Sequence, residues 1–107
     1  MNLPDKSQSP YLLDESEIKE EIKILAIDWQ IESNKFIKRV YKFPDFKKGL
    51  SFVKAIGQIA EEENHHPDIH LSWGKVVVKT TTHSVKGLSK NDFSLAEKFD
   101  AEYATFV

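Results

Sequence analysis

Ile69-His70-Leu71-Ser72-Trp73-Gly74-Lys75-Val76-Val77-Val78-Lys79-Thr80-Thr81-Thr82 has the pattern of a β-hairpin, and reading it decides the fold. Ile69, Leu71 and Trp73 alternate with His70 and Ser72, the two-residue period of a strand with one buried face. Gly74-Lys75 reads as a two-residue turn, and Val76 to Thr82 is a run of strong β-formers. That turn sets Trp73 against Val76 and Leu71 against Val78, so one face is apolar along its length. A sheet with one apolar face needs a second layer to cover it.

The cover lies upstream and downstream. Pro44-Asp45 breaks the chain, and Asp45 is the expected N-cap of the longest helix. Along that helix Phe46, Leu50, Val53, Gly57 and Ala60 form one stripe, flanked by Phe52, Ile56 and Ile59. Gly57 falls on the expected buried stripe, where it would allow close approach to the sheet. Pro67 disfavours helical geometry at His66 and is expected to stop the helix there. Beyond the hairpin, Gly87-Leu88 breaks the pattern again. Ser89 caps a last helix with Asp92 at its N3 position, and Ala96, Phe99, Tyr103 and Phe106 make its buried stripe.

Towards the N-terminus, Asp14 with Glu17 forms a capping-box pair ahead of Ile18, Ile22 and Leu25. Trp29 and Ile31 read as a short strand. A turn at Glu32 to Lys35 leads into a second strand, Phe36 to Phe43. The order is α-β-β-α-β-β-α. The fold class is therefore α+β, a single domain in which a four-stranded antiparallel sheet carries helices packed on one face. The domain is expected over residues 14–107, with residues 1–13 a flexible leader containing Pro4, Ser7, Ser9 and Pro10.

Composition narrows the function. The chain has 107 residues, 40% hydrophobic and 30% charged, in the ordinary globular range. Seventeen acidic against fifteen basic residues give a net charge of -2, which offers nucleic acid no electrostatic footprint. There is no cysteine, so thiol catalysis, disulfides and thiolate metal sites are excluded. No apolar run approaches the ~20 residues of a membrane span, and the N-terminus lacks a secretory pattern. A soluble cytoplasmic protein without membrane or nucleic-acid partners is the expectation.

Three of the four histidines, His65, His66 and His83, stand at a helix end and a strand end. Imidazole serves as acid and base near neutral pH. Glu61 and His65 are four apart, so on a helix they share a face, and the carboxylate would fix the tautomer of His65. The negative end of the helix dipole favours protonated imidazole, so one histidine can be charged while another is not. By strand parity His83 belongs on the other face, which places it at a strand end or bulge. Two other readings of the histidines stand beside an acid-base site: structural caps only, or a three-histidine zinc site. Trp73 suits either core or ligand stacking.

The run Glu61-x-x-x-His65-His66-Pro67, five residues, Trp73, nine residues, His83, eight residues, Asp92 resembles the signature of the pterin-4a-carbinolamine dehydratases. Thr81-Thr82-His83, Gly87-Leu88-Ser89 and Asp92-Phe93-Ser94-Leu95-Ala96 are also similar to that family. The resemblance implies dehydration of 4a-hydroxytetrahydropterin to quinonoid dihydropterin, a hydro-lyase reaction needing no metal or organic cofactor. It implies His65, His66 and His83 as catalytic residues, and Glu61, Asn64, Trp73, Thr81, Thr82 and Ser84 as the substrate-binding set. It further implies a homodimer or homotetramer, and recycling of the tetrahydrobiopterin used by an aromatic amino acid hydroxylase. The alternative it carries is a non-catalytic pterin- or protein-binding module, similar to the dimerisation cofactor role of animal members.

Overall fold

A computed structural model describes residues 10–107. Its elements are α1 (Glu15–Ile22), β1 (Gln30–Glu32), β2 (Phe36–Lys42), α2 (Phe46–Glu63), β3 (Asp68–Ser72), β4 (Lys75–Thr80) and α3 (Lys90–Ala104), with a short 3-10 turn at His83–Val85. The sheet order is β1-β2-β4-β3, every pair antiparallel. Inward-facing Ile37, Tyr41, Val76 and Val78 are fully buried against Phe52 and Ile56 of α2 and Phe99 of α3. The expected α+β order is present. Of the expected leader, residues 1–9 lie outside the described part. Its last residue, Leu13, is packed in the core and donates its N–H to the Leu88 carbonyl at 2.8 Å.

All three helices start where a side chain can accept an orphan N–H. Asp14 and Ser89 make reciprocal capping boxes with Glu17 and Asp92, and Asp45 accepts from Lys48 N at 2.8 Å.

The hairpin is real, but its register differs from the sequence reading. Ser72 lies opposite Lys75, Leu71 opposite Val76 and Ile69 opposite Val78. The turn is thus Trp73-Gly74 and not Gly74-Lys75. Gly74, at φ +79°, takes the one left-handed position of the loop, which costs glycine nothing. Trp73 is left 72% exposed at the tip. The offset is two residues along the strand, so the same side chains still face inward.

Helix α2 is rotated from the expected stripe. Gly49, Phe52, Ile56 and Ala60 face the core, whereas Phe46 and Leu50 stay 44% and 50% exposed. The aromatic cluster explains the choice. Phe52 packs against Tyr41, Phe43, Tyr103 and Phe106 with ring centroids 4.7 to 5.7 Å apart. Close approach to the sheet occurs at Gly49, where a Cβ would lie 3.0 Å from Leu71 Cδ1. At Gly57, where it was expected, no neighbouring atom lies within 4 Å.

One polar cluster joins the sheet to α3. Asp100 accepts from Trp29 Nε1 at 2.9 Å, Arg39 Nη1 at 2.7 Å and the Tyr41 hydroxyl at 2.6 Å. Burial, and then the bond to Asp100, push the Tyr41 phenol above its ordinary range.

Candidate active site

The site forms where three element ends meet. Helix α2 stops at Glu63 because Asn64 turns left-handed, φ +52°, and His65 N–H closes back on the Ala60 carbonyl at 3.1 Å. The stop falls ahead of His66, where Pro67 alone would have placed it. Strand β4 ends at Thr80. Thr82 then pairs with Gly87 in a single bridge that holds the His83–Val85 turn as a loop. His83 is therefore just past a strand end, as its parity required. The N-terminus of α3 closes the third side.

Between these ends lies a cavity of about 250 Å³ lined by Pro10, Asn64, His65, His66, Thr81, Thr82, His83, Ser84 and Asn91. All three histidines line it, with four of the six residues expected to bind substrate. Glu61 does not line it but bonds to His66, which does. Trp73 sits at the far end of β3, on the hairpin tip.

The carboxylate partners differ from the expected ones. His65 Nε2 lies 2.6 Å from Asp92 Oδ1, and His66 Nε2 lies 2.5 Å from Glu61 Oε2. The left-handed turn at Asn64 ends the helical phase, so His65 no longer follows Glu61 by one turn, and His66 swings back to it instead. Asp92 caps α3 as expected, and it is also the hydrogen-bonding hub behind the cavity wall. Fully buried, it accepts from Thr80 Oγ1 at 2.7 Å, Thr82 Oγ1 at 2.6 Å and Ser89 N at 3.0 Å as well as meeting His65. Thr82 has one proton and gives it to Asp92, so Ser89 Oγ must donate to Thr82 Oγ1 at 2.7 Å. With three donors already on Asp92, the matching partner is the N–H form of His65 Nε2. That tautomer leaves Nδ1 as the free acceptor.

One signal for this hub was present in the sequence. Thr80 and Thr82 share the inward parity of Val76 and Val78, and buried hydroxyls need a partner. Pro10 and Asn91 carried no comparable signal. Among the described residues, no three histidine, cysteine, aspartate or glutamate side chains are placed to hold a metal ion.

A family model described as pterin 4 alpha carbinolamine dehydratase matches residues 11–102. The chain belongs to that family. It is 44% identical over 90 residues to a protein of Alkaliphilus metalliredigens, covering 84% of this chain and 81% of the relative. It is 40% identical over 90 residues to a protein of Rickettsia canadensis, covering 84% and 83%. Both relatives carry the provisional name pterin-4-alpha-carbinolamine dehydratase. The crystal structure of a transcriptional coactivator/pterin dehydratase from Brucella melitensis superposes with a TM-score of 0.79 at 33% identity, covering 85% of this chain and 97% of that one.

Proposed function

We propose that this protein dehydrates 4a-hydroxytetrahydropterin to quinonoid dihydropterin and water by histidine acid-base catalysis. The observation that carries the proposal is the convergence of His65, His66 and His83 on one cavity in a chain of this family. The reaction breaks the C4a–O bond, forms C4a=N5, removes the proton from N5 and delivers one to the departing hydroxyl. Positioned acids and bases contribute typically 10²–10⁴-fold to such steps.

Asp92 holds the proton of His65 on Nε2, so His65 faces the ring with an acceptor and is suited to positioning or to taking the N5 proton. His66, partnered by Glu61, and His83, carried on its own loop, are the groups suited to proton delivery and return. Asn64, Thr81, Thr82 and Ser84 supply polar edges for the pterin ring. No cofactor is part of this route.

The wider setting follows from the same reading: recycling of the tetrahydropterin used by an aromatic amino acid hydroxylase, in the cytoplasm, by a homodimer or homotetramer. The exposed Phe46 and Leu50 on α2, with the partly buried Val53 next along the same line, support self-association, since the three have the spacing of a helix-helix seam.

The decisive assay follows the ultraviolet change of freshly generated 4a-hydroxytetrahydropterin with and without protein. His66→Ala and His83→Ala are each expected to slow it by at least tenfold while the fold stays intact, because both side chains are exposed. The double variant should lose more than either single one but less than their product. Full activity in both single variants would transfer support to a binding module, a reading in keeping with the name transcriptional coactivator that the Brucella protein also carries.

A further inference from the structure

A second cleft, also of about 250 Å³, opens beside the histidine cavity and shares two of its walls, Thr81 and His83. Its remaining lining is Lys35, Phe36 and Lys86. The two lysines are tied to the shared walls through the backbone. The Lys35 carbonyl accepts from Thr81 Oγ1 at 2.6 Å, and Lys86 N–H donates to the His83 carbonyl at 3.1 Å. Lys86 is left-handed, φ +58°, an uncommon geometry for a residue other than glycine.

No carboxylate lines this cleft, and among the described residues neither lysine has an ion-pair partner. The acid nearest in sequence, Glu32, is already held by Lys38 at 3.3 Å and Lys79 at 3.0 Å, and the hydrogen bonds from these two lower its pKa. Lys79 also lies over the Phe36 ring, 4.3 Å from its centroid. The cleft thus joins an apolar wall to two lysines that have no ion-pair partner among the described residues.

The geometry of a pterin relates this cleft to the reaction, and the argument rests on the dehydratase reading. The reacting atoms are C4a and N5, and C6 is bonded directly to N5. The C6 substituent must therefore leave the histidine cavity past a histidine that serves N5 or the departing oxygen. His83 is the histidine that borders both spaces.

We propose that the Lys35–Lys86 cleft receives the C6 substituent of the pterin, and that it selects substituents ending in an anion, a phosphomonoester or a carboxylate. Phe36 would cover the linking carbons. The lysines are exposed and screened, so the expected preference is roughly tenfold and not larger.

The test compares three 4a-hydroxytetrahydropterins differing only at C6: a neutral dihydroxypropyl chain, its phosphomonoester, and an aminobenzoyl-glutamate. Wild-type protein should show kcat/KM roughly tenfold higher for an anionic substrate, carried by KM and fading as salt is raised. In the Lys35→Gln/Lys86→Asn variant the anionic-to-neutral ratio should fall towards one; asparagine keeps the left-handed backbone accessible. Whichever anionic substrate shows the larger ratio identifies the source of the charge. Equal kcat/KM for neutral and anionic substrates at low salt would overturn the proposal, as would a preference that survives the double substitution. Binding of the three oxidised pterins by calorimetry provides a readout independent of turnover. If no substrate is turned over, the dehydratase reading fails; the cleft is then judged on whether the phosphorylated pterin binds more tightly than the neutral one, equal affinities overturning it.

Discussion

Asp92 connects four residues from three places in the chain: Thr80 and Thr82 at and just past the end of β4, His65 after α2, and the Ser89 cap of α3. An amide at this position keeps the volume but has only one oxygen, and its NH₂ would point at groups that are themselves donors. Asp92→Asn should therefore cost about 3 kcal/mol of stability, since buried donors lose a charged acceptor. It should also lower the dehydration rate more than His65→Ala does at equal folded fraction, because the whole rim of the cavity shifts. Thermal denaturation alongside rate measurements on folded protein checks both; wild-type stability with slowed turnover would mean that the hub serves chemistry alone. Its cap role was legible, because N3 capping is a local pattern. Its hub role needs contacts across 27 residues of sequence, which no spacing rule supplies.

At the scale of elements, every helix and strand was legible, because each rests on periodicity and caps that act within a few residues. The errors fell where tertiary contacts choose between near-equal local options. The hairpin turn slipped by one residue when Gly74 took the left-handed position, and α2 turned to place Phe52 in the aromatic cluster. That rotation makes opposite predictions for two glycines. Gly57→Ala meets open space and should stabilise the helix by about 0.5–1 kcal/mol. Gly49→Ala should destabilise by about 1–2 kcal/mol, because its Cβ would press on Leu71 Cδ1 at 3.0 Å and crowd Val76. Urea unfolding of both, in a Leu50→Glu background so that association does not contribute, decides the matter; equal shifts would mean that α2 is not rotated as described.

The Asp100 cluster ties β2 and the residue before β1 to α3, and it sets an alkaline limit on these elements. Tyr41 is held neutral in the fold, with its pKa raised by burial and the bond to Asp100. A raised folded-state pKa means the stabilisation is whole below the unfolded value, about 10, and is lost as pH rises beyond it. The melting temperature should thus fall above about pH 10. Tyr41→Phe should begin about 1 kcal/mol less stable and fall less steeply over the same range. Parallel slopes for the two proteins would remove Tyr41 as the cause.

For the whole molecule, the features left unexplained by one chain are apolar ones. Phe46 and Leu50 are half exposed on a helix whose opposite face is fully packed, and Val53, itself partly buried against the core, continues their line by one more turn. A seam of this kind loses its hydrophobic contribution if it stays in water, and it is too narrow to bury itself within the chain. A second copy of α2 offers the same surface in a two-fold arrangement, which makes the contact self-complementary. Sedimentation at micromolar concentration should therefore give a mass that is a multiple of 12.3 kDa. Leu50→Glu should shift it to the single-chain mass with little change in circular dichroism, because the site lies on the solvent side of the helix. Histidine-dependent turnover should persist in that variant, since Leu50 does not line the cavity. An unaltered oligomer in Leu50→Glu would move the interface away from α2, to the sheet edge at β1 or β3 or to its uncovered face.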